Sequence, residues 1–309
     1  MTALAVEGLV TQAVETVESR MRRAAPFLAD GVARWMRGLW RTGRPADYFL
    51  QPDRFPVIQL PCWLEGTIRG APDAGFQASL VYSSVNGYYF IRLVDDVMDG
   101  DGSAPASLLP ALGLFHAEFV SSYHRWFPAG HPFWNDFRAL WYGAADAAAQ
   151  DAALEDLDHE RFVEVAARKV SAAKIPLAAV GHRYGAPDRL AAWSDFCDRL
   201  GRFEQLTDDL FDWHDDLRRG AATWVLSEAG RRAAPGESAA AWIVREGFEW
   251  GVDTLRSWMS ELRRAASELE SARVVEHLAA RENRLLERWD GVRPGLRSLG
   301  ILAGAMNDR

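Results

Sequence analysis

The chain has 309 residues, 49% of them hydrophobic and 25% charged, with a formal net charge of −8. That composition excludes a disordered, collagen-like or fibrous chain, and the length suffices for one large domain or two small ones. The acidic balance argues against a nucleic-acid binder. Two cysteines, Cys62 and Cys197, cannot build a disulfide framework, and no stretch reaches the roughly 20 apolar residues of a membrane span. The N-terminus has no basic start and is interrupted by Glu7, so it does not read as a secretory signal; a cytoplasmic protein is expected.

Two features of composition stand out. Tryptophan occurs 13 times, and lysine only at Lys169 and Lys174. Pro and Gly punctuate the chain near 43–45, 52–61, 100–105, 128–132, 185–187, 235–236 and 291–295, and most pieces between carry apolar residues at three-to-four spacing. The residues 55–60 are the best short strand-like exception. No composition shift marks a boundary, so a single all-α domain of about ten helices over 1–309 is expected.

In chain order, the first segment with chemical content is 78–100, ASLVYSSVNGYYFIRLVDDVMDG. It reads as a buried helix ending in acid and stopped at Gly100. Asp95 and Asp99 share a helix face, Asp96 lies beside them and Asp101 follows. Like charges at this spacing repel, so a cation is expected to compensate; a solvated helix end is the alternative. Arg92 reaches both Asp95 and Asp96, as an ion pair or as a phosphate donor. The pieces 190–219, 239–270 and 271–290 read as further helices.

The segment 203–226, FEQLTDDLFDWHDDLRRGAATWVL, places Asp208, Asp212 and Asp216 at i, i+4 and i+8. Asp209 and Asp215 flank this stripe and Gln205 lies one turn before it. A solvated acidic face would interleave cations, whereas the nearest are Arg202, Arg218 and Arg219. Two aspartate-rich helices in a Trp-rich, apolar helical chain suggest a central apolar cavity with carboxylates at its mouth. Such carboxylates hold Mg²⁺, which in turn holds a diphosphate.

At these residues the sequence resembles the class I isoprenoid synthases: polyprenyl diphosphate synthases, squalene/phytoene synthases and class I terpene cyclases. Leu93-Val94-Asp95-Asp96-Val97-Met98-Asp99 resembles the first aspartate-rich motif of that family. Gln205-x-x-Asp208-Asp209-x-x-Asp212-x-x-x-Asp216 resembles the second, in its polyprenyl-synthase form. Lys169, 39 residues before Asp208, stands where those synthases carry a diphosphate-binding lysine. The likeness covers about residues 78–226. It departs from chain-elongating synthases in lacking an N-terminal Gly-Lys-x-x-Arg-type element, an Arg-Arg-Gly after the first motif and a Gly-Lys after the second. It departs from bacterial cyclases in lacking their metal-binding Asn/Ser/Glu set and their C-terminal Arg-Tyr pair.

The resemblance implies a class I terpenoid synthase fold and ionisation of an allylic prenyl diphosphate with Mg²⁺, three ions by analogy. It implies Asp95, Asp99, Asp208 and Asp212 as metal ligands, with Asp96, Asp209 and Asp216 as further candidates. Lys169, Arg218 and Arg219 are candidate diphosphate donors and Gln205 an orienting group. A dry aromatic pocket protects a carbocation; Tyr88, Phe90, Ile91, Trp213 and Trp224 are candidates for it, with plain core packing as the alternative for each. Lys174 is expected at the surface, and His182 and His214 have no assigned role. The missing isopentenyl elements favour a one-substrate terpene synthase, a lyase. The alternative is a prenyltransferase using the same diphosphate site, and a binding-only subunit is a third reading. A homodimer is expected by analogy.

Overall fold

Helix-forming patterns run through almost the whole chain, and the computed structural model describes residues 3–40, 43–98, 100 and 102–307, with side chains for 5–40, 43–98, 100 and 102–299. Among the described residues every regular element is helical, as expected. The residues 55–60, the strand-like exception, are turns leading into a helix. The described residues form fifteen α-helical segments rather than about ten. Among the described residues no helix is long and apolar enough to cross a membrane. Internal contacts group the chain into two compact units, 1–139 with 172–190, and 140–171 with 191–309.

The first unit contains α1 (Ala3–Ala24), α2 (Pro26–Leu39), α3 (Pro45–Phe49), α4 (Leu60–Arg69), α5 (Ala74–Met98), α6 (Ala111–His124) and α9 (Ile175–Tyr184). Proline opens α2 and α3, where its missing N–H costs nothing. Along α5, Val81, Val85, Tyr89 and Leu93 recur every four residues and are buried. They pack with Trp35, Met36, Phe49 and Phe115 in one apolar core. Gly87 lets α6 approach closely, because a Cβ there would meet the Phe119 ring at 3.1 Å. α5 is described to Met98, and Gly100 beyond it adopts φ +70°, the left-handed conformation expected of a helix stop.

The second unit contains α8 (His159–Lys169), most of α10 (Pro187–Phe211), α11 (Trp213–Arg219), α12 (Trp224–Arg232), α13 (Ala239–Trp242), α14 (Phe248–Glu268) and α15 (Ala272–Asn307). α7 (Phe133–Ala152) begins in the first unit and ends in the second. Asp158 caps α8 and Thr223 caps α12, each accepting a backbone N–H. The expected helices 190–219 and 239–270 are each subdivided. Asp212 separates α10 from α11, and a π-helical turn at Ile243–Gly247 joins α13 to α14. The punctuation at 291–295 does not break α15, which carries Pro294 within it. The expected central cavity is not shown among the described residues.

Candidate functional site

The first acidic motif lies at the C-terminal end of α5, in the first unit. Asp96 is 2% exposed; its Oδ2 accepts from Trp35 Nε1 at 2.9 Å and its Oδ1 pairs with Arg92 at 2.6 Å. Both oxygens are therefore committed to the protein. Asp95 is exposed and takes the other arm of Arg92 at 3.4 Å. Arg92 is thus paired to both carboxylates at helix spacing. Asp99 and Asp101 lie outside the described residues. Tyr88 bonds the hydroxyl of Tyr48 and stands edge-on to Phe49 at 5.1 Å; Phe90 packs on His116. Ile91 is exposed beside Asp95 on α5.

The second motif closes α10. Backbone bonds from Asp212 N to Asp208 O (2.9 Å) and from Asp216 N to Asp212 O (3.1 Å) keep the turn-by-turn spacing across the joint. The three carboxylates nevertheless meet different surroundings. Asp216 is buried and accepts from Arg219 at 2.8 Å. Asp208 and Asp212 are exposed. Asp208 offers surface to solvent while protein atoms crowd it, and its pKa is raised, first by desolvation and then by the like charge of Asp212; Arg288, Arg281 and Lys169 oppose the shift.

Asp209 points inward. It is 4% exposed, accepts from Gln205 Nε2 at 2.8 Å and receives the backbone N–H of Trp224 at 3.4 Å. Burial pushes its pKa up to about 7, against the hydrogen bond from Gln205 and the charge of Lys169. Gln205 Oε1 in turn accepts from Lys169 Nζ at 3.0 Å, and Lys169 pairs with Asp151 at 2.6 Å. A continuous chain therefore runs Asp151–Lys169–Gln205–Asp209–Trp224 across α7, α8, α10 and the start of α12. Gly201 permits it: a Cβ there would lie 2.6 Å from Val170, the residue after Lys169, so α8 could not end so close to α10. Trp224 also packs on Phe162 (4.8 Å, 27°) and on Trp258 (5.8 Å, 11°), whose rings are themselves 6.1 Å apart, in a cluster of three rings.

Among the candidate donors, Arg218 pairs with Asp215 at 3.6 Å and Arg219 with Asp216. Trp213 contacts only its neighbour His214 among the ring pairs described, at 5.6 Å. Lys174, expected at the surface, is buried at 8% exposure, next to the buried start of α9 at Ile175, Pro176 and Leu177. Among the described residues no three His, Cys, Asp or Glu side chains converge as a ready-made metal centre. Mg²⁺ asks less, one or two carboxylates together with phosphate oxygens and water. Asp208 and Asp212, exposed on successive turns and mutually repelling, fit that requirement. Asp96, Asp209 and Asp216 are each committed to protein partners and fit it poorly.

Comparison with solved structures places this architecture. A geranylgeranyl pyrophosphate synthetase from the archaeon Geoglobus acetivorans is similar at TM-score 0.63 and 14% identity, over 90% of this chain and 99% of that one. A decaprenyl diphosphate synthase from Rhodobacter capsulatus is similar at 0.61 and 18%, over 88% and 99%. A polyprenyl synthetase from Streptomyces coelicolor A3(2) is similar at 0.60 and 20%, over 92% and 99%. The chain has the isoprenoid-synthase fold. No family model matches the sequence, and no curated protein matches it either.

Within that isoprenoid-synthase fold, three residues near the second motif escape a reading of the sequence. Asp151 sits 18 residues from Lys169, with no periodic relation to it. Arg281 and Arg288 lie on α15 yet act on Asp208 electrostatically. Arg281 is 3% exposed and pairs with Glu204, beside Gln205. A buried Arg at a helical apolar position was the available signal, and only the packing of α15 gives it meaning.

Proposed function

We propose that this protein is a Mg²⁺-dependent enzyme acting on an allylic prenyl diphosphate, with prenyl transfer as its reaction class. The observation that carries this is the pair of exposed carboxylates, Asp208 and Asp212, next to the Lys169–Gln205–Asp209 chain, in a protein of this fold. All three structures named above are titled as prenyl-chain synthases, which supports transfer over the one-substrate lyase reading. The lyase reading is retained for one reason. The cations that would hold a second, isopentenyl diphosphate are absent from their expected places in the sequence.

Asp208 and Asp212 would hold the metal, together with phosphate oxygens and water. When bound, Mg²⁺ would neutralise charge on the departing diphosphate. Lys169 donates to a phosphate oxygen from a position fixed by Gln205, whose amide is itself fixed by Asp209. Asp151 holds the ammonium until the anion arrives, so the cation is already in place and little reorganisation is needed. Asp96 and Arg92 keep the end of α5 in register rather than touching substrate.

The test is product analysis by gas chromatography–mass spectrometry after incubation with ten-, fifteen- and twenty-carbon allylic diphosphates, with and without isopentenyl diphosphate and Mg²⁺. Longer prenyl diphosphates formed only with isopentenyl diphosphate support transfer. Hydrocarbon or alcohol released without it supports the terpene synthase. No consumption of any allylic diphosphate in the presence of Mg²⁺ would refute both. Asp208→Asn should reduce turnover by about 10³-fold without lowering thermal stability, because it removes a carboxylate charge that desolvation and Asp212 disfavour.

A further inference from the structure

The corner between α1 and α2 runs against the acidic balance of the chain. Its residues Arg20-Met21-Arg22-Arg23-Ala24-Ala25-Pro26-Phe27-Leu28 hold three cations and no acid, in a protein of formal net charge −8. Arg22, Arg23, Ala24, Pro26 and Phe27 are all exposed. Ion pairs occupy several of the arginines here: Arg20 pairs with Glu118, and Arg22 and Arg37 share Glu18. Arg23 and Arg34 are exposed, and among the described residues neither makes an ion pair with a carboxylate. Arg34 lies seven residues after Phe27, two turns along the same face of α2.

Arginines in the last turn of α1 suit the negative end of its dipole, and by themselves they signify nothing more. The dipole does not explain Phe27. This ring is fully exposed, at 104%, whereas the other exposed large apolar side chains described reach at most 65%. It stands off the stripe that α2 buries, formed by Ala29, Val32, Ala33 and Met36, so rotating the helix to hide Phe27 would uncover the core. Phe27 therefore projects at a turn, beside Ala24 and Pro26, with uncommitted cations on either side of it in the chain.

Such a surface fits an interface that has apolar depth and an anionic rim. An aromatic ring enters the acyl boundary of a bilayer, while guanidinium groups stay at the level of the phosphates. A second copy of this chain fits less well, because a two-fold contact through Phe27 would set the free arginines of one copy against those of the other. We propose that the α1–α2 corner docks this protein on anionic lipid bilayers, with Phe27 inserted and Arg23 and Arg34 against the headgroups. No described helix is long and apolar enough to cross a membrane, and one ring with two cations makes the attachment peripheral and reversible. Asp30, exposed between Phe27 and Arg34 on α2, opposes it. The proposal stands apart from the reaction proposed above, and either can fail without the other.

The test is flotation of the full chain with vesicles of phosphatidylcholine alone, or of phosphatidylcholine and phosphatidylglycerol at about 3:1, at low and at physiological salt. Wild type should float with the anionic vesicles, less so as salt rises, and stay behind with the neutral ones. Phe27→Ser should weaken binding about tenfold and Arg23→Gln about fivefold. Asp30→Asn should strengthen it. Arg264→Gln, which removes an exposed arginine on α14, should bind as wild type does. Melting temperatures should match throughout, since none of these side chains is buried. Absence of flotation by wild type overturns the inference, as does wild-type binding by Phe27→Ser. An equal loss in Arg264→Gln would assign bulk charge and overturn it too. So would a lowered sedimentation mass in Phe27→Ser, which would show that a second copy covers the ring.

Discussion

Lys169 and Lys174 are five residues apart and do different work. Lys169 is half-buried between Asp151 and Gln205, and its charge acts on Asp208. Lys174 is buried at the start of α9. Lys169→Ala should therefore lower kcat by about 10²-fold with little change in melting temperature. Lys174→Ala should instead lower the unfolding free energy, by about 2 kcal/mol, with kcat nearly preserved in the folded fraction. Steady-state kinetics paired with denaturant titration separates the two; reversal of the order would misplace the diphosphate donor. His277 gives a separate pH effect, on stability. Its Nε2 faces Arg281 Nη1 at 3.5 Å, and burial, reinforced by that positive charge, pulls its pKa down to about 3. The unfolded state, with an ordinary histidine near 6.5, then binds more protons between about pH 3 and 6.5. Stability should rise with pH through that window, approaching about 1.4 kcal/mol per unit, and level off above it. His277→Gln should flatten that share of the slope, which is read as the wild-type-minus-variant difference in unfolding free energy from pH 4 to 7.

At the scale of elements, the site depends on how closely α8 ends against α10. Gly201 makes that approach possible, with Val170 side-chain carbons at 2.6 and 2.9 Å and the Ala166 carbonyl at 3.3 Å from where a Cβ would stand. Gly201 and Gln205 are one turn apart, so a displaced α8 moves Lys169 away from Gln205. Gly201→Ala should cost about 1–3 kcal/mol by overpacking and should also lower kcat. Wild-type kcat in a destabilised Gly201→Ala protein would show that the Lys169–Gln205 contact is dispensable. The joint at Asp212 has a related consequence. Sequence spacing puts Asp208, Asp212 and Asp216 on one stripe, and the backbone bonds preserve that spacing, but the pairing of Asp216 with Arg219 divides the stripe into two exposed carboxylates and one buried one.

Across the whole molecule, the contacts form two units, and two of the three chain crossings fall inside the continuous helices α7 and α10, the third in the 3-10 turn Val170–Lys174. A helix propagates order cooperatively from turn to turn. We therefore propose that the 309 residues unfold as one domain, which predicts a single calorimetric transition with equal van't Hoff and calorimetric enthalpies. Two resolved transitions would divide the chain into separate domains. We further propose a homodimer, which sedimentation equilibrium would report as about twice the 34.5 kDa chain mass.

The sequence by itself determined the helical class, the left-handed Gly100 beyond α5 and the spacing of the second acidic motif. These depend on local periodicity and backbone sterics, which a single segment carries. Tertiary structure alone decided which carboxylates are committed to the protein and which remain exposed. It buried Lys174, brought Asp151 to Lys169 and set Arg288 against Phe211. Each of these is a contact between segments distant in the chain, and desolvation, ion pairing and ring packing arise only when such segments meet.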